Sequence, residues 1–200
     1  MKKLVLLAVL ALALPTAVFA GSSIDYTNSG GTLSGSNSGL SLSGSVLIAV
    51  NGNGGLITGS DLGSVSFATG ALSSGSLQKG GTFASGGWFT ITGNGSNGVA
   101  NGTLFTGTFT GPVSWTKTDL ANGTHNYTLM GTLSGTVASG YSTVGVTVQL
   151  TINTGKGFFN GCTKISSGDS NVVVPEPGSL SLLGTGLIAM GGMIRRKLKA

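Results

Sequence analysis

The chain has 200 residues, 37 of them glycine, few charges and a formal net charge of +5. That length holds one ordinary domain, and a low-charge, Gly/Ser/Thr-rich composition without long helical runs points to an all-β exported domain or a partly disordered one. The positive excess lies in Lys2, Lys3, Arg195, Arg196, Lys197 and Lys199; between them Lys79, Lys117, Lys156 and Lys164 are matched by Asp25, Asp61, Asp119 and Asp169, and a neutral body excludes a nucleic-acid surface.

Residues 1–20 read as a signal-peptide helix. Lys2 and Lys3 form its charged start, Leu4 to Leu14 its apolar run, and Pro15 breaks it before Val18-Phe19-Ala20. Cleavage by signal peptidase is expected between Ala20 and Gly21. Residues 21–45, mostly Gly and Ser, are expected as a flexible stalk or as edge strands such as Leu40-Ser41-Leu42. A β domain is expected over 46–165, with strands at 46–50, 65–68, 88–92, 103–110 and 113–117. Two further stretches alternate strictly, as half-buried strands do. In the first, His125, Tyr127, Leu129, Leu133 and Val137 share one face and Asn126, Thr128, Met130, Thr132, Ser134 and Thr136 the other. In the second, Val144, Val146, Val148, Leu150 and Ile152 alternate with polar residues.

Asn-Gly pairs begin at 51, 53, 94, 97, 101, 122 and 160, and Asn-Gly favours type I′ hairpin turns. Asn122-Gly123 predicts a hairpin joining Lys117 to His125. This punctuation favours an antiparallel β-sandwich or roll. Gly-Thr-Leu at 31–33, 102–104 and 131–133 makes a β-solenoid the alternative. Phe105, Phe109, Trp115 and Tyr127 are expected in the core, and 166–174 as a linker.

The chemistry-bearing residues are sparse. Glu176 is the only glutamate, and there is one histidine and one cysteine. Such an inventory supplies no metal shell and implies no cofactor and no enzyme. The alternative is a hydrolase built on His125 with Asp119 and one of many serines. Cys162 is expected as a buried free thiol. Trp88, Trp115, Tyr141, Phe158 and Phe159 offer a second alternative, a carbohydrate-binding module that stacks aromatics on sugar rings. Phe158 and Phe159 are adjacent, so in extended chain only one can point inward. A threonine face (Thr128, Thr132, Thr147, Thr151) reads as ordinary β-propensity, or as an adhesive surface.

The C-terminal stretch has a definite order. Val174-Pro175-Glu176-Pro177-Gly178 is followed by an apolar segment over 180–194 and then by Arg195-Arg196-Lys197. Two prolines hold Glu176 on extended chain. A helix over 180–194 reaches about 22 Å, short of a hydrocarbon core of about 30 Å, which suits a transient transmembrane stop. The basic cluster remains cytoplasmic by the positive-inside rule. Motif, short apolar helix and basic cluster over 175–200 together resemble the PEP-CTERM sorting signal. The resemblance implies that an exosortase recognises Pro175, Glu176 and Pro177 while Arg195, Arg196 and Lys197 act as the membrane stop. It further implies transient passage through the inner membrane, delivery to the cell surface or medium, and exopolysaccharide or biofilm matrix as company. The combined expectation is an exported, non-enzymatic surface protein with a structural or adhesive role.

Overall fold

Alternating apolar and polar side chains cannot bury one face without a second layer or a closed sheet, and this chain takes the closed sheet. The computed structural model describes residues 22–52 and 54–174. They form thirteen strands: β1 (Ser22–Ser29), β2 (Thr32–Ser36), β3 (Gly39–Gly52), β4 (Gly55–Ala68), β5 (Leu72–Ser76), β6 (Gly80–Phe83), β7 (Gly86–Asn94), β8 (Asn101–Phe109), β9 (Val113–Asp119), β10 (His125–Val137), β11 (Ser142–Asn153), β12 (Cys162–Lys164) and β13 (Ser167–Val174). Eight of them close a barrel in the order β1-β3-β4-β7-β8-β10-β11-β13 and back to β1.

This ring replaces the expected sandwich or roll, and its antiparallel, long-range pairing replaces the solenoid. The domain is all-β and antiparallel, as the turn punctuation implies. The segment 166–174, expected as a linker, contributes the closing strand β13, and residues 22–45 are strand rather than stalk. The expected helices over 1–20 and 180–194 lie outside the described residues. Among the described residues, no helix is long and apolar enough to cross a membrane.

Eight strands leave an interior just wide enough for side chains to fill. Phe67, Phe89, Phe105 and Phe109 fill it as a cluster, with neighbouring ring centroids 5.9–6.4 Å apart. Room for those rings comes from inward glycines: a Cβ on Gly131 would sit 2.8 Å from the Phe109 ring, and one on Gly135 2.8 Å from Phe105. Outward positions carry hydroxyls in cross-strand rows, such as Ser66, Thr90, Thr106, Thr136 and Ser142 on five successive strands. A membrane barrel has the reverse arrangement, an apolar band outside.

Two of the longest strands branch. β3 gives one edge to β4 and divides the other between β2 and β1. β10 gives one edge to β11 and divides the other between β9 and β8. These strands stand opposite each other in the ring, so the extra strands rise from opposite walls, β2-β12 from one and β9-β6-β5 from the other. They meet over one end of the barrel as a dome. Leu72 N–H, opening β5, donates across the join to the carbonyl of Asn37, between β2 and β3, at 2.9 Å, while within the β2-β12 flap Gly35 N–H donates to the Gly161 carbonyl at 2.8 Å. Beneath them Trp115 stacks on Tyr127 at 5.1 Å, and Phe159 meets Trp115 edge-on at 5.3 Å. The polar tips are satisfied, the Trp115 indole N–H by the Leu77 carbonyl at 2.9 Å and the Tyr127 hydroxyl by that of Gln78 at 2.7 Å, as buried Trp and Tyr require.

The opposite rim carries only short connections, after β3, β7 and β10, together with both ends of the described chain. Pairing alternates around an even ring, so β1 begins beside the end of β13; an Asn171 amide donor 2.5 Å from the Asp25 carboxylate ties the two.

Local corrections follow the same geometry. Gly145, at φ +75°, is an extra residue in β11: Leu133 faces Val146 and Ser134 faces Val144. The bulge turns the strand over, so Thr143 is buried and Val144, expected inside, is 77% exposed. The Asn122-Gly123 hairpin forms, with a three-residue loop in place of type I′. Gly123, at φ +76°, donates to the Leu120 carbonyl at 2.9 Å and Leu120 to that of Thr124 at 2.9 Å. Replacing Phe89 by Ala should cost about 3–5 kcal/mol, whereas Thr132→Ala on the wet face should stay within about 0.5 kcal/mol. Urea unfolding midpoints of the two variants check both values.

Candidate functional site

The sequence singles out two sets of residues. Pro175, Glu176, Pro177, Arg195, Arg196 and Lys197 lie outside the described residues, the first of them directly after β13. The other set gathers on the dome. The hairpin register sets Asp119 on β9 opposite His125 on β10. The His125 ring Nδ1 is 2.6 Å from the Asp119 carboxylate, and Lys117 Nζ lies 2.7 Å from the same oxygen.

The loop after β11 completes the cluster. Backbone bonds hold it to His125: the His125 N–H donates to the Gly155 carbonyl at 2.9 Å, and Thr154 N–H to that of His125 at 3.0 Å. Farther along, the two adjacent phenylalanines divide as extended chain demands. Phe159 is buried against Trp115, and Phe158 points out, 55% exposed. Its ring stacks on His125 with centroids 4.7 Å apart and planes within 10°, and Lys117 Nζ lies 4.8 Å from its centre. Contacts of this kind attract a cation to an aromatic ring.

The Lys117 ammonium is the main cause holding the Asp119 carboxyl below its ordinary range; burial opposes it and His125 adds to it. A carboxyl depressed in the folded state stabilises the fold above its unfolded pKa, and that contribution is lost as pH falls through the folded value.

Asp119 and His125 form a hydrogen-bonded pair, and the imidazole has no side-chain hydrogen bond to a serine among the described residues. No group of three metal-ligating side chains occurs among the described residues. A surface groove of about 360 Å³ lies away from the dome, beside Asp61 and Asn94. Its carboxylate is already occupied: Gly63 N–H and the Asn94 amide each donate to Asp61 at 3.1 Å.

Other expected residues scatter. Trp115 is buried, while Trp88 and Tyr141 are exposed. Cys162, expected as buried, is exposed because it opens β12, a three-residue edge strand paired only with β2. Thr128 pairs with Thr151 and Thr132 with Thr147 on the outer wall, within the wider hydroxyl rows. Sequence reasoning missed Lys156, which follows the anchored Gly155, and Lys79, which precedes Gly80 in the turn beside Thr116 and Lys117. Nothing in their local sequence marks them.

Residues 173–197 match the family model of the PEP-CTERM protein-sorting motif, so the chain carries that motif, and the matched stretch begins inside β13. No curated protein and no solved structure matches the chain.

An NMR titration of the Asp119 side-chain carboxyl should give a midpoint below the ordinary aspartate value of about 3.9. In Lys117→Gln the midpoint should rise toward that value.

Proposed function

We propose that this motif-bearing chain is exported, processed by an exosortase-type system and displayed at the cell surface or in the extracellular matrix as a non-enzymatic structural or adhesive barrel. The observation that carries the reading is the sorting motif running on from the closing strand β13 without a spacer. The barrel suits a passive, hydrated role: its interior is filled by phenylalanines, and its wall is a lattice of hydroxyls. In this reading signal peptidase trims the first strand's leader, and Pro175, Glu176 and Pro177 present the tail to the exosortase. Arg195, Arg196 and Lys197 hold the precursor in the inner membrane until that step. With both ends leaving by one rim, attachment on either side of processing is to that rim, and the dome is the end left free for contacts. A carbohydrate-binding role is the second reading, favoured by Phe158 standing exposed on the dome.

The intact mass of the protein recovered from its host's surface or medium tests the processing. It should lack residues 1–20 and the chain beyond the neighbourhood of Pro175, and Glu176→Ala should retain the tail. A mass that still includes 180–200 in the unaltered protein overturns the sorting step.

A further inference from the structure

The neutral body hides a segregation of charge. All four lysines of the described residues lie on the dome or its loops: Lys79 in the β5–β6 turn, Lys117 on β9, Lys156 in the β11–β12 connection and Lys164 on β12. Asp25 and Asp61 lie toward the opposite rim, where Asn171 and Asn94 bind them, and Asp119 and Asp169 lie toward the dome, which the four lysines leave net positive. Of the dome lysines, Lys117 is occupied by Asp119 at 2.7 Å, whereas Lys79 and Lys156 are exposed. These two belong to different segments, the β5–β6 turn and the β11–β12 connection. Lys79 adjoins Gly80, whose Cβ position lies 3.3 Å from the Lys117 backbone nitrogen, and Lys156 sits two residues before Phe158.

We propose that this corner of the dome binds an acidic polysaccharide, with Phe158 as the platform for a sugar ring and Lys79 and Lys156 as the partners of its carboxylates. The proposal deepens the carbohydrate reading of the preceding subsection and rests on it. An exposed aromatic ring held rigid from behind offers a flat apolar face at little cost in side-chain entropy. The His125 stack supplies that rigidity at 4.7 Å, and the Asp119 bond fixes the imidazole in turn. The cations are isolated lysine ammoniums, compact point charges suited to single carboxylates. Phosphate backbones, with a charge at every nucleotide, are instead tracked by many cations together. A uronate-containing chain places its charges on alternate or successive rings, which suits separate cations from two neighbouring segments beside one ring-sized platform.

The test uses the full chain in a non-ionic detergent, passed over immobilised polygalacturonate, neutral dextran and double-stranded DNA at low salt. Retention is expected on polygalacturonate and not on dextran, and it should weaken as salt is raised. The double variant K79Q/K156Q should lose about tenfold in affinity, the equivalent of about 1.4 kcal/mol, and F158A should lose several-fold. Because the basic tail is itself an anion binder, R195Q/R196Q/K197Q must retain the parent's affinity for the same column. Equal retention of K79Q/K156Q and parent, equal retention on dextran, or tighter binding to DNA than to polygalacturonate overturns the proposal. A trimmed mass of the host-derived protein combined with no polysaccharide retention of the full chain would sink this site alone, while an untrimmed host-derived mass combined with retention would sink the sorting step alone.

Discussion

Everything in this molecule depends on the seam between its first and last strands. β1 and β13 are neighbours in the ring, and without that pairing the sheet is an open ribbon with two exposed edges and a row of phenylalanines facing water. Closure satisfies the backbone donors and acceptors of both strands at once and removes the edges on which other chains could add. It also fixes the interior volume, which explains the composition: four phenylalanine rings in a narrow barrel demand walls of glycine where the rings lie. The many glycines are thus partly a packing requirement and only partly turn chemistry.

The same closure gives the barrel two unlike ends. At one, short connections and both chain ends gather. At the other, β3 and β10 outgrow the ring and carry extra strands that fold over the opening. Outgrowth from opposite walls lets the flaps meet, and the aromatic trio of Trp115, Tyr127 and Phe159 seals the join. The exposed cluster around His125 is a by-product of that seal: Phe159 is drawn inward, and its neighbour Phe158 is thereby pushed out onto the imidazole. A neutral body and an uneven charge map are compatible here because topology, rather than sequence, sorts lysines to one end.

Much of the local structure was legible in the sequence. The period-two faces of β10 emerge as read, with Tyr127, Leu129, Leu133 and Val137 inside, because a long alternation admits one register. The Asp119–His125 pair was legible too, since a single hairpin brings them together. Closure was not. Alternation says that one face is buried and is silent on whether a second sheet or the same sheet buries it. The strand over 167–174 was missed because its Gly, Ser, Asp and Asn composition reads as linker, and only its position between β11 and β1 makes it a strand. Gly145 misled the reading of Val144 for a related reason: a bulge is an extra residue in the pairing partner's frame, invisible along one strand. In the dome, Lys79 and Lys117 are far apart in sequence and are brought to one region by the pairing of β6 with β9, which no local pattern announces.

The seam also sets a clock. Asp25 and Asn171, which meet across it, are 146 residues apart in the chain, so the decisive contact is among the last that synthesis and translocation make available. Folds dominated by such distant pairings form slowly, because the loop must be closed before its contacts reward it. In the export proposed above, that delay is a gain. Until residues 167–174 arrive, the earlier strands have no complete barrel to fall into, and the polypeptide stays pliable enough to pass.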